Sequence, residues 1–337
     1  MYISSMIDDL SKSVAYPENS KKVTMVQTHI STVFICDNFV YKIKKPVNFG
    51  FLDFSTLEKR KYYCKKEVEL NSRFSDDVYL GVSHVTFDGK NYSINGDGKI
   101  VDYAVKMRRL SDENLMKTKF KKGIVTTGDI QRIGSSIAAF HQKSRRSKEI
   151  DEFGKLNAVK LNTDENFQQT KEFIGDSIAE EQYLSLKNWT DTFYKKKSSL
   201  FEERIEKGKI RDCHGDLHME HVCLTDPIIL IDCIEFNNRF RYIDMASDIA
   251  FLLMDVEFNG GTQFSDALCE TYLRCSGENN DSKILDLIKF YKVYRAYVRG
   301  KVTSFILKDP AVSDEKKNEA RDIASKYFKL AYSYIST

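Results

Sequence analysis

The chain has 337 residues, of which 42% are apolar and 30% are charged, and 52 basic against 49 acidic residues give a net charge of +3. This composition is typical of a globular protein and excludes a disordered chain. The near balance of charge gives no argument for a nucleic-acid partner, because a nucleic-acid surface needs basic residues gathered on one face.

The cysteines and the apolar runs predict a cytoplasmic protein. The seven Cys form no CxxC pair, and their number is odd. This pattern favours reduced, buried thiols over a disulfide framework. No apolar run approaches the roughly 20 residues that span a bilayer, and residues 1–20 lack the apolar core of a signal peptide. We therefore expect neither a membrane partner nor a nucleic-acid partner.

The first third of the sequence favours β-strands. Residues 2–13 have an amphipathic pattern that predicts one short helix, ended by a turn at Pro17. Short β-branched and aromatic runs follow, and the pair Asp37–Asn38 between two of them predicts a hairpin turn. The predicted strands cover 23–28, 32–36, 39–45, 79–86, 91–94 and 99–107.

One helix interrupts these strands. Residues 55–74 place apolar side chains at helical spacing among charges. Ser55 followed three residues later by Glu58 resembles a capping box, which predicts that the helix begins there. The sequence NGDG at 95–98 predicts a turn.

Helical patterns dominate after Met107. A short stretch, 209–233, predicts two strands around a loop. The predicted helices cover 128–145, 162–174, 178–206, 242–257, 262–275, 281–307 and 313–335. The predicted strands lie mostly before residue 108 and the predicted helices mostly after it. This order predicts an α+β fold in two parts. We place the first domain at 1–107 and the second at 108–337.

Two polar segments carry the candidate chemistry. HGDLHMEH at 214–221 holds Asp216 in a stretch too polar for a core, and IILIDCIEF at 228–236 holds Asp232 at the end of an apolar run. Two carboxylates on a loop and on the next strand can meet across a small hairpin. Phosphoryl transfer needs such a pair, because one carboxylate accepts the proton of the attacking hydroxyl and another holds Mg²⁺ against the phosphates.

These segments resemble aminoglycoside phosphotransferases and related small-molecule kinases. The likeness rests on HGDLH, on the strand ending in Asp, and on RYIDMASDIAFL at 241–252. YKIKKPVNFGFLDFSTLEKR at 41–60 and YRAYVRGKV at 294–302 are similar to an uncharacterised bacterial subgroup. The resemblance implies a bilobal protein-kinase-like fold, with a small N-terminal antiparallel sheet plus one helix that binds nucleotide, and a larger, mainly helical catalytic and substrate lobe.

The resemblance also implies roles for residues of the two polar segments. Asp216 would be the catalytic base and Asp232 the principal metal ligand. His214 would either act in catalysis or shape the turn. His221 stands where the family has an Asn that binds a second metal ion, and a neutral imidazole is a poorer Mg²⁺ ligand than an amide oxygen. Asp244 and Asp248 would brace the catalytic loop.

In the first domain the resemblance implies a nucleotide site. A strand Lys would hold the α- and β-phosphates and be fixed by a helix Glu, which matches Lys42 and Glu67. Lys44 is a rival, because it lies two residues on and so on the same strand face. The first turn has no Gly, so its backbone amides and either Ser31 or Thr32 would hold phosphate. Met107 lies in the hinge segment whose backbone would meet the adenine.

The sequence defines the residues that would bind the acceptor substrate less well. Arg295 and Arg299 lie four residues apart on a predicted helix, where they form either a solvated basic stripe or a cationic wall for an anionic substrate. Glu235 is either a strand-end polar group or a residue that lines the site.

The activity implied is Mg²⁺-dependent transfer of the γ-phosphoryl group of ATP or GTP to a small-molecule hydroxyl. The alternatives are a nucleotide-binding pseudokinase or regulatory module and a protein kinase, although no HRD or DFG sequence occurs. Members of the subgroup often continue into a Walker-type nucleotide-binding domain. No GxxxxGK[ST] sequence occurs here, so we expect this polypeptide to lack that domain.

Overall fold

The computed structural model describes residues 2–18, 20–75, 77–279, 281–310 and 312–336. The chain forms two compact units. The first comprises Met1–Lys122 with Glu220–Asn238, and the second comprises Gly123–Met219 with Arg239–Thr337. The domain division predicted at residue 107 stays a prediction, and the segment that carries Asp232 belongs to the first compact unit.

A six-stranded antiparallel sheet forms the centre of the first unit, with strand order β1-β2-β3-β6-β4-β5. The predicted hairpin at Asp37–Asn38 is confirmed, since Ile35 pairs with Val40 on either side of it. The strands are β1 (Thr24–Gln27), β2 (Ser31–Ile35), β3 (Phe39–Lys44), β4 (Tyr79–Phe87), β5 (Tyr92–Ile94) and β6 (Lys99–Arg108).

Each face of this sheet is covered by a different helix. The helix α1 (Tyr2–Leu10) contributes Leu10 to a cluster that also contains Phe34 and Tyr41. The helix α2 (Leu57–Asn71) contributes Cys64 to a second cluster. The predicted capping box at Ser55 is wrong, because the side chain of Thr56 accepts the N–H of Lys59 and so begins the helix one residue later.

The first unit also contains the segment that follows the HGD motif. Its short hairpin pairs β8 (Val222–Cys223) with β9 (Ile229–Leu230), and a further helix, α3, covers Met116–Lys121. Cys223 and Ile229 pack in the same cluster as Val78 and Tyr103. Burial of these side chains holds the hairpin against the sheet, although the Gly123–Met219 segment of the second unit lies between them in sequence.

The second unit is mainly helical. A two-stranded antiparallel pair, β7 (Ile210–Asp212) and β10 (Tyr242–Asp244), lies within it. Its helices are α4 (Thr127–Lys143), α5 (Lys148–Asp151), α6 (Leu156–Thr170), α7 (Glu180–Glu206), α9 (Met245–Phe258), α10 (Thr262–Ser276), α11 (Ile284–Ser304) and α12 (Asp314–Ser336). The short α8 (Asn238–Arg241) lies where the chain passes from the first unit to the second.

The core of the second unit surrounds α9. Twelve residues of this helix, Met245–Val256, are buried, which explains why most of its side chains are apolar. Phe251 and Met254 pack with Val293 of α11 and Phe328 of α12. Within the described residues, no helix has both the length and the apolar composition needed to cross a membrane.

Candidate active site

The loop after β7 carries the HGD motif in the second unit. Asp248, on the first turn of α9, accepts the N–H of His214 and the N–H of Gly215, each at 2.9 Å. His141 lies 3.0 Å from the same carboxylate. Burial raises the pKa of Asp248, but the bond to His141 and nearby positive charge outweigh it and lower that pKa to about 2. The ionised carboxylate therefore fixes the loop, as the sequence predicts.

Asp216 follows this fixed backbone and remains accessible. Its side chain is 35% exposed, and its Oδ2 lies 3.5 Å from Nε2 of His218. Its own N–H donates to Nδ1 of His214 at 3.3 Å. The ring of His214 is buried, so the structure gives it a contact that shapes the turn. A carboxylate held on a braced loop and open to solvent can accept a proton from a bound hydroxyl.

The two arginines of α11 differ in their surroundings. Arg295 is buried and donates to the carbonyl oxygens of Gly215 and Ser247, so it links the HGD loop to helix α9. Burial lowers the pKa of Arg299, but Tyr327 and Asp216 outweigh this effect, so its pKa lies above the ordinary value. The charge of Asp216 therefore acts on Arg299, and the predicted cationic wall stays a prediction.

In the first unit, one carboxylate binds both candidate lysines. Oε1 of Glu67 lies 2.9 Å from Nζ of Lys42, and Oε2 lies 2.6 Å from Nζ of Lys44. The period of the strand places both lysines on the face of β3 that meets α2. Their side chains differ in exposure, with 13% for Lys42 and 0% for Lys44. Lys42 is thus the lysine that solvent can reach.

Lys44 has a second carboxylate partner. Glu235, predicted to contact the substrate or to be a strand-end polar group, is buried and accepts from the Lys44 ammonium. Burial lowers the pKa of Lys44, but attraction to Glu235 and Glu67 outweighs it and raises that pKa above its ordinary value. Burial raises the pKa of Glu235, and Lys44 opposes this rise. Glu67 and Glu235 therefore both contact the Lys44 ammonium in the interior of the first unit.

Asp232 lies beside Lys42. Its Oδ1 is 2.5 Å from Nζ of Lys42, and its side chain is 41% exposed. Burial lowers the pKa of Lys42, but Asp232 and Glu67 outweigh it, so the pKa of Lys42 lies well above its ordinary value. The sequence places Asp232 at a strand end, whereas β9 ends at Leu230 and Asp232 lies in the following loop.

The backbone at Asp232 has an uncommon conformation. Its φ is +62°, in the left-handed region that non-glycine residues rarely occupy. The N–H of Asp232 donates to Oη of Tyr79 at 2.9 Å, and the N–H of Cys233 donates to Oδ1 of Asn71 at 2.8 Å. Asn71 in turn donates to the carbonyl oxygen of Glu67. These bonds hold the strained backbone in place, and such strain is found at functional sites more than elsewhere.

His221 is the other candidate metal ligand in the first unit. Its Nε2 lies 3.6 Å from Oδ2 of Asp232, and its side chain is 14% exposed. The two oxygens of Asp232 therefore have different neighbours, Lys42 on one side and His221 on the other. A carboxylate and an imidazole that approach each other from a loop and a short 3₁₀ turn can bind a divalent cation.

The remaining predicted nucleotide contacts lie on strands β2 and β6. Ser31 is 1% exposed and pairs with Lys44 across β2 and β3. In the preceding turn, Oγ1 of Thr28 accepts the N–H groups of Ile30 and Ser31, so the side chain of the turn already satisfies two of its amides. Met107 is half-buried near the end of β6, where it pairs with Val40. Both contacts with nucleotide stay predictions.

Sequence reasoning missed three residues that position the predicted ones. Asn71, Tyr79 and His141 are buried, and each bonds to a segment that carries a predicted site residue. Only Asn71 gave a signal, because an amide at the end of a helix pattern is a residue type that caps or ties loops. Tyr79 and His141 lie in ordinary strand and helix patterns.

Solved structures identify the class of fold. The GDP complex of aminoglycoside 2'-phosphotransferase-IIIa matches with a TM-score of 0.53 at 13% identity over 97% of both chains. A choline/ethanolamine kinase family protein from Mesorhizobium loti has a TM-score of 0.52 at 12% identity over 97% of this chain and 99% of its own. Choline kinase from Cryptosporidium parvum matches with a TM-score of 0.55 at 11% identity over 96% of this chain and 94% of its own. The chain has the kinase-like fold of these phosphotransferases, which confirms the predicted fold class.

Curated relatives are similar to the chain in sequence. Uncharacterized protein Rv2004c of Mycobacterium tuberculosis is 33% identical over 277 residues, 82% of this chain and 53% of the relative. Uncharacterized protein Mb2027c of Mycobacterium bovis matches with the same values. The chain spans about half the length of the curated relatives it matches. No family model matches the sequence.

Proposed function

We propose that the protein transfers the γ-phosphoryl group of ATP or GTP to a hydroxyl of a small metabolite. The observation that carries this proposal is the pairing of Lys42 with both Glu67 and Asp232. A strand lysine fixed by a helix glutamate and lying against an accessible aspartate is the arrangement that binds a nucleotide phosphate beside a metal ion. The solved structures with the same fold include phosphotransferases and small-molecule kinases.

Each residue has a separate role in this proposal. Lys42 binds the phosphates, and Glu67 orients its ammonium. Asp232 and His221 fit a divalent cation, since both side chains are partly exposed and the carboxylate carries negative charge. Mg²⁺ would neutralise charge on the phosphates when bound. Asp216 accepts the proton of the acceptor hydroxyl, which leaves positioning and charge neutralisation to supply most of the rate.

One observation favours a second function, a nucleotide-binding regulatory module without turnover. The turn that covers phosphates in this fold has no Gly here, and Thr28 satisfies two of its amides. Fewer N–H groups are then available to hold a phosphate in line with the acceptor. A thermal-shift measurement with Mg-ATP beside an ATP-hydrolysis measurement separates the two functions, because stabilisation without turnover identifies the module.

The proposed transfer is tested by acceptor-dependent release of ADP or GDP. Sugars, amino sugars, amino alcohols and nucleosides are screened with the full chain, followed by Asp216→Asn. We expect the variant to lose turnover by about 100-fold or more while its affinity for Mg-ATP stays within about threefold. Asp97→Asn, an exposed turn residue, is the matched control and should keep full activity. Full turnover in the Asp216 variant would remove Asp216 as the base.

A further inference from the structure

Two donor atoms of different chemistry face each other at the candidate cation site. Nε2 of His221 and Oδ2 of Asp232 are 3.6 Å apart. Bonds from a divalent metal to nitrogen or oxygen are each about 2.1 Å long, so two atoms at this separation can share one ion. Both side chains are accessible, with 14% and 41% exposure.

The orientation of the carboxylate is fixed from its other side. Oδ1 of Asp232 is held by the Lys42 ammonium, and Oδ2 lies on the side of His221. The backbone of Asp232, at φ +62°, is held by the bond from its N–H to Tyr79. The two donors therefore do not need a large rearrangement to bind one ion, and the site is largely formed in advance.

The donor types select the class of metal. Mg²⁺ is a hard ion that prefers oxygen ligands and retains its water molecules. Imidazole nitrogen favours first-row transition ions over Mg²⁺, while a carboxylate accepts both kinds. A site with one imidazole and one carboxylate therefore shifts the preference away from Mg²⁺ and towards an ion such as Mn²⁺, which binds both oxygen and nitrogen.

We infer that His221 and Asp232 together bind a first-row divalent ion and give the site a preference for Mn²⁺ over Mg²⁺. The inference rests on the proposed function only for the use of the ion, since the binding itself needs no nucleotide or acceptor. His221 acts as the residue that sets metal specificity, and Asp232 supplies the charge that any divalent ion requires.

The test is direct binding of Mn²⁺ to the full chain without nucleotide. The electron paramagnetic resonance signal of free Mn²⁺ reports binding, and competition with Mg²⁺ gives the ratio of the two dissociation constants. We expect His221→Asn, which restores an amide at this position, to weaken Mn²⁺ binding by about tenfold or more and to change Mg²⁺ binding by less than about threefold. The ratio of the Mg²⁺ dissociation constant to the Mn²⁺ dissociation constant should therefore fall.

Two further variants control the measurement. Asp232→Asn should abolish binding of both ions, and His84→Asn, an exposed histidine on β4, should leave both unchanged. An unchanged ratio in His221→Asn overturns the inference and identifies the imidazole as a partner of the carboxylate alone. Mn²⁺ binding that survives Asp232→Asn also overturns it, because the ion then lies elsewhere. Failure of phosphoryl transfer is a separate result, since turnover is not measured here.

Discussion

Lys44 and Glu235 form a buried ion pair that joins two distant parts of the chain. The side chain of Lys44 is 0% exposed and that of Glu235 is 5% exposed, and the two residues are 191 positions apart in sequence. Glu235 lies three residues after Asp232, so this pair ties strand β3 to the loop that carries the candidate metal ligand. Lys44 is therefore held in a structural contact, which supports the proposed assignment of the phosphates to Lys42.

Lys44→Met should destabilise the protein. Removing one member of a buried pair leaves uncompensated charge on Glu235 and costs about 3–5 kcal/mol. We expect the free energy of unfolding, measured in urea, to fall by about this amount. The double variant Lys44→Met with Glu235→Leu should recover part of the loss, because both charges are then absent. A double variant that loses the sum of the two single losses would show that the two side chains do not interact.

Lys42→Met should act on function more than on stability. Glu67 keeps its bond to Lys44 in this variant, so we expect a smaller loss of stability than in Lys44→Met. Loss of the phosphate contact should lower turnover by about 100-fold or more with any accepted substrate. Turnover and stability are compared between Lys42→Met and Lys44→Met. A larger loss of turnover in Lys44→Met, with a larger loss of stability in Lys42→Met, would assign the phosphate to Lys44.

Asp232→Asn and Asp232→Ala should separate ligand loss from backbone strain. Asn tolerates the left-handed conformation better than Ala does, so Asp232→Ala should be about 1 kcal/mol less stable than Asp232→Asn. Both variants should lose metal-dependent nucleotide binding, because neither has a carboxylate. Urea unfolding and titration of Mg-ATP measure the two effects. Equal stability of the two variants would contradict a role for the positive φ.

Asp248 should contribute to the pH dependence of stability. Its pKa in the folded protein is about 2, below the ordinary value of 3.8, so its contribution is complete above about pH 4 and is lost as the pH falls towards 2. A shift of this size corresponds to about 2 kcal/mol. Urea unfolding of wild type and Asp248→Asn between pH 5 and pH 2 measures the difference. Parallel stability curves over this range would refute the contribution.

Part of the candidate site could be predicted from local sequence pattern, and part was implied by the family resemblance. The two-residue period of β3 places Lys42 and Lys44 on one face whatever the surroundings, and both contact Glu67. The HGD motif and Asp248 lie 33 residues apart, and a polar loop followed by an apolar helix is visible in the sequence. The contact of a strand lysine with Glu67 and the contact of the HGD loop with Asp248 were implied by the family resemblance, because they join residues 23 to 34 positions apart that no local pattern connects.

Other features depend on contacts that sequence patterns do not contain. The difference between an accessible Lys42 and a buried Lys44 arises because Glu235 returns from far along the chain to enclose Lys44. Tyr79 and Asn71 hold the loop at Asp232 and Cys233, although each belongs to an ordinary strand or helix pattern.

The sequence by itself determined the strand-rich and helix-rich parts, the candidate carboxylates and the pair of candidate lysines, Lys42 and Lys44. Periodicity and turn preferences depend on residues that are close in sequence, so they can be recognised from the sequence alone. Tertiary structure decided which lysine is buried and which oxygen of Asp232 faces His221. Burial and long-range ion pairs set these outcomes, and both depend on which distant segments the packed core brings together.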